Sequence, residues 1–557
     1  MLISFFVLSI VSLVILGYSC FLKSLINSGN IIVKNYDFVY GLLLISLISI
    51  IFNFFFQLNY LSIPISILGL FLFIFYFYKK KIEINFIFFF LILFLFIFFT
   101  HNNSLNYDSP FYHLQIIKWS SDYKIPFGLI NLEQRFAMPS IWHIFLSPFS
   151  FDLFNFNPIY LISLIPFSFL INQVIENRNL VSLSNFYLFF FVCILLIFSL
   201  IHPFQDGIIF NHLGSPESDI IGIVFFGFSF YFFLRFLDNK NDKNFYYITL
   251  FVFFGILTKI SYFYLFFLFI IPVFFLKLEI FNNYKIYFFL IFFISLWFLR
   301  NIIVSGCLIF PISFTCFDFP WSNNIDQVEY FFNEAKSWSR STRDRLTAGD
   351  FDYTLNSSDW FLPWFKDYFL NTSILKILGY STLGSLIFFL ILLFFKKVSL
   401  KKIFNRKNSI IFIFFILGII SWLQSPEVRY GHGLLISIIV FNLIIIIKVL
   451  DIKNFNPYFK FLPLVFLTMI VIKNFDVLDI FFKSFSHNFD YSNFIKIKNV
   501  NNFIIYSPNP NDLVSSDYLK FCGNFDGICG YINHPTNLEN LNIEINKFGY
   551  FVFSNKL

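Results

Sequence analysis

Apolar runs of about 20 residues, broken by short polar links, dominate this chain, and such a run is what a helix needs to cross a bilayer. Roughly fourteen runs meet that rule. They lie near 2–22, 38–57, 60–78, 84–100, 154–171, 183–201, 220–237, 245–258, 260–276, 286–299, 373–395, 409–423, 433–450 and 459–473. Of the 557 residues, 58% are hydrophobic and only 13% charged, where a soluble domain carries about 25% charge. This balance excludes a soluble enzyme, a disordered chain and a nucleic-acid binder. It predicts an all-α polytopic membrane protein with about 12–14 transmembrane helices. The net charge of +7 sits in short basic clusters between the apolar runs, so it carries no nucleic-acid signal. The 95 phenylalanines reflect a compositional bias and say nothing about function.

Lys and Arg mark the cytoplasmic links of a multi-pass protein. Here they gather at Lys79–Lys81, Lys240 and Lys243, Lys277 and Lys285, Lys396, Lys397, Lys401, Lys402, Arg406 and Lys407, and Lys448 and Lys453. If the runs alternate, all of these links fall on one side. The segments 101–153, 202–219, 300–372 and 474–557 fall on the other, with both termini. The first run has no preceding Lys or Arg, unlike a cleaved secretory signal, and is expected to be a retained span. The organisation expected is one membrane domain over 1–473 and a small extracytoplasmic α+β tail over 474–557, with strands at FIIYSP and YFVF. The membrane expected is the cytoplasmic (inner) one.

Polar groups at membrane depth are costly, and they mark functional sites. Ser109-Pro110 predicts a helix N-terminus, with Ser109 as the cap and a helix over about 110–122 lying at the interface. Asp108 stands just before it, either capping the helix or held beside an anion site. His113, Gln115 and Lys118 lie on that helix. Trp119 and Trp142 read as aromatic-belt anchors. The segment 202–219 holds His202, His212, Asp206, Glu217 and Asp219 with no Lys or Arg. Its acids therefore suit a cation, sugar hydroxyls or basic partners from another segment, and Ser218 or Asp219 is a cap for the helix from 220. Their spacing matches no strong metal signature, so a divalent metal stays open. Lys259, Arg300 and Arg429 lie at membrane depth on the same side, where they suit a phosphate or diphosphate or pairing with Glu427, Glu217 or Asp219. The stretch NIIVSGCLIFPI is expected to be re-entrant, and 300–372 to form a lid. Cys522 and Cys529 flank CGNFDGIC, and an outward tail suits a disulfide there. Cys307 and Cys316 are the other pair close in sequence.

The ordered series resembles the GT-C superfamily of membrane glycosyltransferases, which includes protein mannosyltransferases and the aminoarabinose transferase of lipid A. It is most similar to a bacterial subgroup whose first large outward loop reads Tyr-Asp-x-x-x-Tyr-His. The matching residues are Tyr107, Asp108, Tyr112, His113, Gln115, Lys118, Trp119, Gly128, Asn131, Arg135 and Trp142. Ser215-Pro216 with Asp219, the Lys259 stretch, Arg300-Asn301 and Ser425 to Tyr430 follow. The resemblance implies a GT-C-like fold with juxtamembrane helices in the first outward loop. It implies inverting transfer of a sugar from a polyprenyl-phosphate donor to an extracytoplasmic acceptor: a cell-envelope glycan, lipid or protein. Asp108 takes the position of the general base, and Glu217 and Asp219 the second acidic motif. His113, Gln115, Lys118, Arg135, Lys259, Arg300 and Arg429 become candidates for binding substrate and phosphate. The loop with Asp108 follows the fourth span here, whereas in the best-known members it follows the first.

Other readings are a lipid-linked glycan polymerase or ligase, a transporter or flippase, and an envelope scaffold. A transporter would show internal repeats and polar residues at the bilayer midplane. This chain shows neither, and its polar residues collect at one face.

Overall fold

The computed structural model describes every residue except 27–31, 101–105, 107, 154–155, 178–181, 202–212, 277–283, 343, 395–404, 450–456, 474–493, 501–502, 509–521, 524, 526, 531–540 and 556–557. Tyr107, His202, Asp206, His212, Lys277, Lys396, Lys397, Lys401, Lys402 and Lys453 fall outside the described residues.

The apolar runs fold as helices, because a backbone surrounded by hydrocarbon must satisfy its own polar groups. In chain order these are α1 (Leu2–Ile26), α2 (Phe38–Asn53), α3 (Ser62–Tyr78), α4 (Phe86–Thr100), α5 (Leu114–Asp122), α6 (Ile141–Leu146), α7 (Leu164–Glu176), α8 (Leu183–Ile201) and α9 (Asp219–Asn239). There follow α10 (Asp242–Thr258), α11 (Phe266–Leu276), α12 (Tyr284–Ser305), α13 (Ile325–Arg340), α14 (Phe361–Asn371), α15 (Ser373–Phe394), α16 (Arg406–Trp422), α17 (Val428–Val449) and α18 (Leu462–Lys473). Six helices among the described residues are long and apolar enough to cross a membrane, and further shorter apolar helices accompany them. The chain is a helical, multi-pass membrane protein. Close helix approach uses glycine, as in other membrane bundles. A Cβ at Gly17 would stand 2.0 Å from the Gly69 carbonyl oxygen, and one at Gly41 2.1 Å from that of Ile15.

Contacts tie the helix ends into two groups. At one end Lys23 pairs with Asp37 at 2.7 Å, Lys407 pairs with Asp238 at 2.9 Å, and Glu176 accepts from Asn35 at 2.7 Å. At the other, Asn53 donates to the Ser120 carbonyl at 3.1 Å, Ser62 to that of Pro148 at 2.6 Å, and Arg300 to the Ser120 hydroxyl at 3.2 Å.

A second hydrophobic core forms at this latter end from the first outward segment, the end of α12 and the tail. The tail carries a three-stranded sheet of β1 (Phe494–Val500), β2 (Phe503–Pro508) and β3 (Ile528–Cys529). A separate antiparallel pair follows, β4 (Leu541–Ile545) with β5 (Phe551–Asn555). FIIYSP is β2 and YFVF enters β5, as the sequence predicts. Cys522 and Cys529 form the expected disulfide, and Cys307 and Cys316 form a second. Backbone bonds dock the tail: Phe127 N–H donates to Phe551 and Phe553 N–H to Phe127, both at 2.9 Å, and Gly523 N–H donates to Pro110 at 2.9 Å. Gly128 holds φ +65°, and a Cβ there would meet the Phe553 and Trp321 carbonyl oxygens at 2.3 and 2.5 Å.

Three expectations need correction. The run 154–171 is not helical from its start, because α7 begins only at Leu164, after a short 3-10 turn over Pro158–Tyr160. Asn157 and Pro158 fix that turn. NIIVSGCLIFPI is not re-entrant. Its first residues complete α12 to Ser305, Gly306 turns the chain at φ +81°, and the Cys307–Cys316 bridge closes the loop. Trp119 and Trp142 are not interfacial anchors. Trp119 packs beneath Phe551 and Phe553, Trp142 stacks on Phe145, and both are buried. Helix α5 is covered by the tail, with Leu114–Ile117 and Trp119–Ser121 buried.

Glu133 is fully buried in this second core, where it accepts from Arg135 N–H at 3.2 Å. Burial pushes its carboxyl from 4.5 up to about 7, with Arg135 opposing. Below the lower value both folded and unfolded chains hold the proton. Between the two values only the folded chain holds it, so stability falls as pH rises through that window and the loss is complete above it. The shift corresponds to roughly 3 kcal/mol. Glu133→Gln keeps the acceptor and removes the titration. Thermal unfolding in detergent is expected to show wild type losing stability relative to this variant between pH 5 and pH 8. Parallel pH profiles for the two proteins would contradict it.

Candidate active site

The link between α4 and α5 positions Asp108. A wide helical turn over Ser109–His113 leads into α5, with Asp108 at its start in helical geometry. Neither expected cap operates. Asp108 makes no side-chain cap. Ser109 spends its hydroxyl on Ser215, in a very short contact, and on Glu217 Oε1 at 3.3 Å. The Asp108 carboxylate accepts instead from Arg429 Nη1 at 2.6 Å. Arg429 opens α17, so this contact joins positions 321 residues apart in the chain.

A second pair lies beside the first. Ser218 precedes α9 without capping it by its side chain, and the Asp219 carboxylate accepts from Lys259 Nζ at 2.5 Å. Lys259 is available there because it breaks the helix, with extended backbone between α10 and the 3-10 turn before α11. Tyr262 donates to the Asp219 carbonyl at 2.9 Å. Its ring fills the space a Cβ on Gly222 would need, at 1.9 Å. Both cations lie near the Tyr430 ring, Lys259 Nζ at 4.5 Å and the Arg429 guanidinium at 5.3 Å from its centre. Asp219 thus finds a basic partner from another segment, one of the alternatives the sequence leaves open for the acids of 202–219. Glu427 pairs with Arg345 at 3.1 Å and not with Arg429.

His113 faces this cluster from α5's leading turn. It feels Asp219, Lys259 and Arg429, and its ring lies 4.7 Å from that of His143. Burial is the main cause holding both imidazoles below their ordinary range: His113 well below, with His143 the next contributor, and His143 down to about 3, with Arg300 contributing. Both are neutral at physiological pH. Burial also pushes the Tyr112 hydroxyl well up, with Asp108 next among the causes.

The remaining predicted residues have other partners. Gln115 donates to the Cys522 and Gly523 carbonyls at 3.3 and 2.9 Å, holding the disulfide hairpin. Lys118 pairs with Asp122 one turn on, at 3.1 Å. Arg135 pairs with Glu133 at 3.4 Å and stacks on Phe111 at 4.8 Å. Arg300 is buried and donates to Ser120. The structure therefore brings together Asp108, Glu217, Asp219, His113, Lys259 and Arg429, and gives Gln115, Lys118, Arg135 and Arg300 other partners. Sequence reasoning missed Ser109 and Ser215 as a contact, Tyr262, and His143. His143 sits in an apolar stretch that gives no signal. Tyr262 lies close enough to Lys259 to have been suspected. Among the described residues no three His, Cys, Asp or Glu side chains are placed to hold a metal ion.

No curated protein and no solved structure matches the chain. A family profile described as "Domain of unknown function (DUF8201)" matches residues 1–436, a stretch that includes Asp108, Glu217, Asp219, Lys259 and Arg429. That is well over half of the sequence, and the chain belongs to this DUF8201 family.

Proposed function

We propose that the chain is a GT-C-like membrane glycosyltransferase that moves a sugar from a polyprenyl-phosphate donor to an extracytoplasmic acceptor. The observation that carries the reading is the convergence of Asp108, Glu217 and Asp219 with Lys259 and Arg429, from segments spread over most of the chain, at one end of an apolar helical bundle. In this reading Asp108 takes the proton of the acceptor hydroxyl as its oxygen attacks the anomeric carbon. The bond from that carbon to the phosphate oxygen breaks, and polyprenyl phosphate leaves with the electron pair. A single displacement inverts the sugar. Arg429 and Lys259 stabilise the charge on the departing phosphate. Arg429 Nε has no hydrogen-bond partner among the described residues, so its planar fork has a donor left while Nη1 holds Asp108. Neutral His113 adds a polar group without charge, and the Phe-rich bundle offers apolar surface for the lipid tail. Whether a divalent metal takes part is decided by an EDTA arm in the assay. The membrane is proposed to be the cytoplasmic one, with the site facing outward.

Membranes carrying wild type or Asp108→Asn, supplied with polyprenyl-phosphate sugars, test the assignment. Asp108→Asn is predicted to lower transfer by at least a hundredfold at unchanged protein level, the scale of a lost general base. Undiminished transfer by the variant would remove Asp108 from that role. Transfer unchanged by the variant while glycan chains lengthen normally would favour a lipid-linked glycan polymerase.

A further inference from the structure

A cavity of about 900 Å³ opens at the far end of the bundle from Asp108. Asp219 begins α9 and Arg235 lies on the cavity wall near its end, roughly 24 Å further along the helix axis at 1.5 Å per residue. The walls are the ends of α7 and α9, the start of α8, the chain around Lys34 and Asn85, and the 3-10 turn before α18. This is the end at which Lys23, Lys34, Lys79–Lys81, Lys240 and Lys407 gather, the cytoplasmic end by the distribution of charge.

Two of the three acids of this cavity already have partners. Glu176 accepts from Asn35 at 2.7 Å, from the Asn85 backbone N–H at 2.5 Å and from Asn172 at 3.3 Å. Asp238 pairs with Lys407. Glu83 is exposed at the rim. The cations are less committed. Arg235 gives one bond to the Tyr231 hydroxyl at 3.2 Å, which leaves most of its donors. Lys460 sits over the Phe461 ring at 5.1 Å. Lys34 acts on Glu176 only as a nearby charge. This balance suits an anion and not a metal cation.

A second, independent feature points to hydroxyl groups. Gln173 and Asn177 are 7% and 8% exposed and both line the cavity. Gln173 Nε2 donates to Asn177 Oδ1 at 2.9 Å. That leaves Gln173 Oε1 as a buried acceptor and Asn177 Nδ2 as a buried donor, neither with a hydrogen-bond partner among the described residues. Buried polar atoms without partners are costly, and a ligand hydroxyl satisfies one of each kind. Phe88 and Phe461 meet at 5.6 Å on the same wall, an apolar edge suited to an acyl chain.

We propose that this cavity binds a phosphorylated polyol, as a lipid headgroup or as a free polyol phosphate. The phosphate lies toward Arg235, Lys460 and Lys34, and the hydroxyls on the Gln173–Asn177 pair. The proposal stands apart from glycosyl transfer and does not depend on it.

Full-length protein in neutral detergent is titrated calorimetrically with phosphatidylglycerol, phosphatidylinositol, glycerol 3-phosphate and inositol 1-phosphate, with phosphatidylcholine as the control. At least one phosphorylated polyol is expected to bind more tightly than the control, and the free phosphates distinguish a soluble ligand from a headgroup. Arg235→Gln is expected to weaken that binding at least tenfold and Asn177→Ala several-fold, while Asp108→Asn leaves it intact. Should Arg235→Gln fail to fold, Lys460→Gln, at a half-buried position, carries the same expectation. Equal binding of all probes, wild-type affinity in the folded cation and amide variants, or loss of binding in Asp108→Asn would overturn the proposal.

Discussion

A charge held at membrane depth must be paired, because the low-dielectric surroundings make an isolated one too costly. That constraint organises one end of this molecule. Arg429 at the start of α17 is paired with Asp108, and Lys259 with Asp219. Each pair joins segments distant in the sequence: the α4–α5 link with α17, and the start of α9 with the break after α10. Tyr430 lies within cation–π range of both cations, and the Tyr262 ring packs against Gly222 in α9. The same pairs that hold the fold at this end supply what a phosphate-leaving reaction needs, namely fixed positive charge beside a carboxylate.

The helical bundle was largely legible in the sequence. Runs such as 220–237 and 373–395 are long and apolar, and α9 and α15 match them closely. The misplacement of the run at 154–171 shows where hydropathy fails. Asn157-Pro158 stops a helix locally, yet averaging over a window hides it, so α7 starts late. Trp119 and Trp142 failed for another reason. An aromatic in an outward loop reads as a membrane anchor only if nothing covers it, and here the tail covers one and the bundle the other. Nothing local in α5 announces that β5 packs above it.

At the site, single residues were legible and partnerships were not. Asp108, Asp219, Lys259 and Arg429 each stand out as expensive polar groups in apolar surroundings. Which carboxylate meets which cation depends on the tertiary fold: of the pairings the sequence left open for Lys259, Arg300 and Arg429, Lys259 with Asp219 is present, while Arg429 meets Asp108. Arg345, from the long outward segment, holds Glu427 instead. Arg300 looked equivalent to Arg429 by position, but α12 runs past it and turns it toward Ser120. Gln115 and Arg135 proved to hold the second core together, which no property of the isolated motif distinguishes from ligand binding.

The central claim is that Arg429 and Lys259 form the phosphate-binding half of a site whose other half is Asp108. Equilibrium binding of polyprenyl phosphate to detergent-solubilised wild type, Arg429→Gln and Lys259→Gln tests it without requiring a known acceptor. Each variant is predicted to bind about tenfold more weakly or worse, the scale of a lost charge-assisted hydrogen bond, while its fold, followed by circular dichroism, is retained. Wild-type affinity in both folded variants would contradict the account.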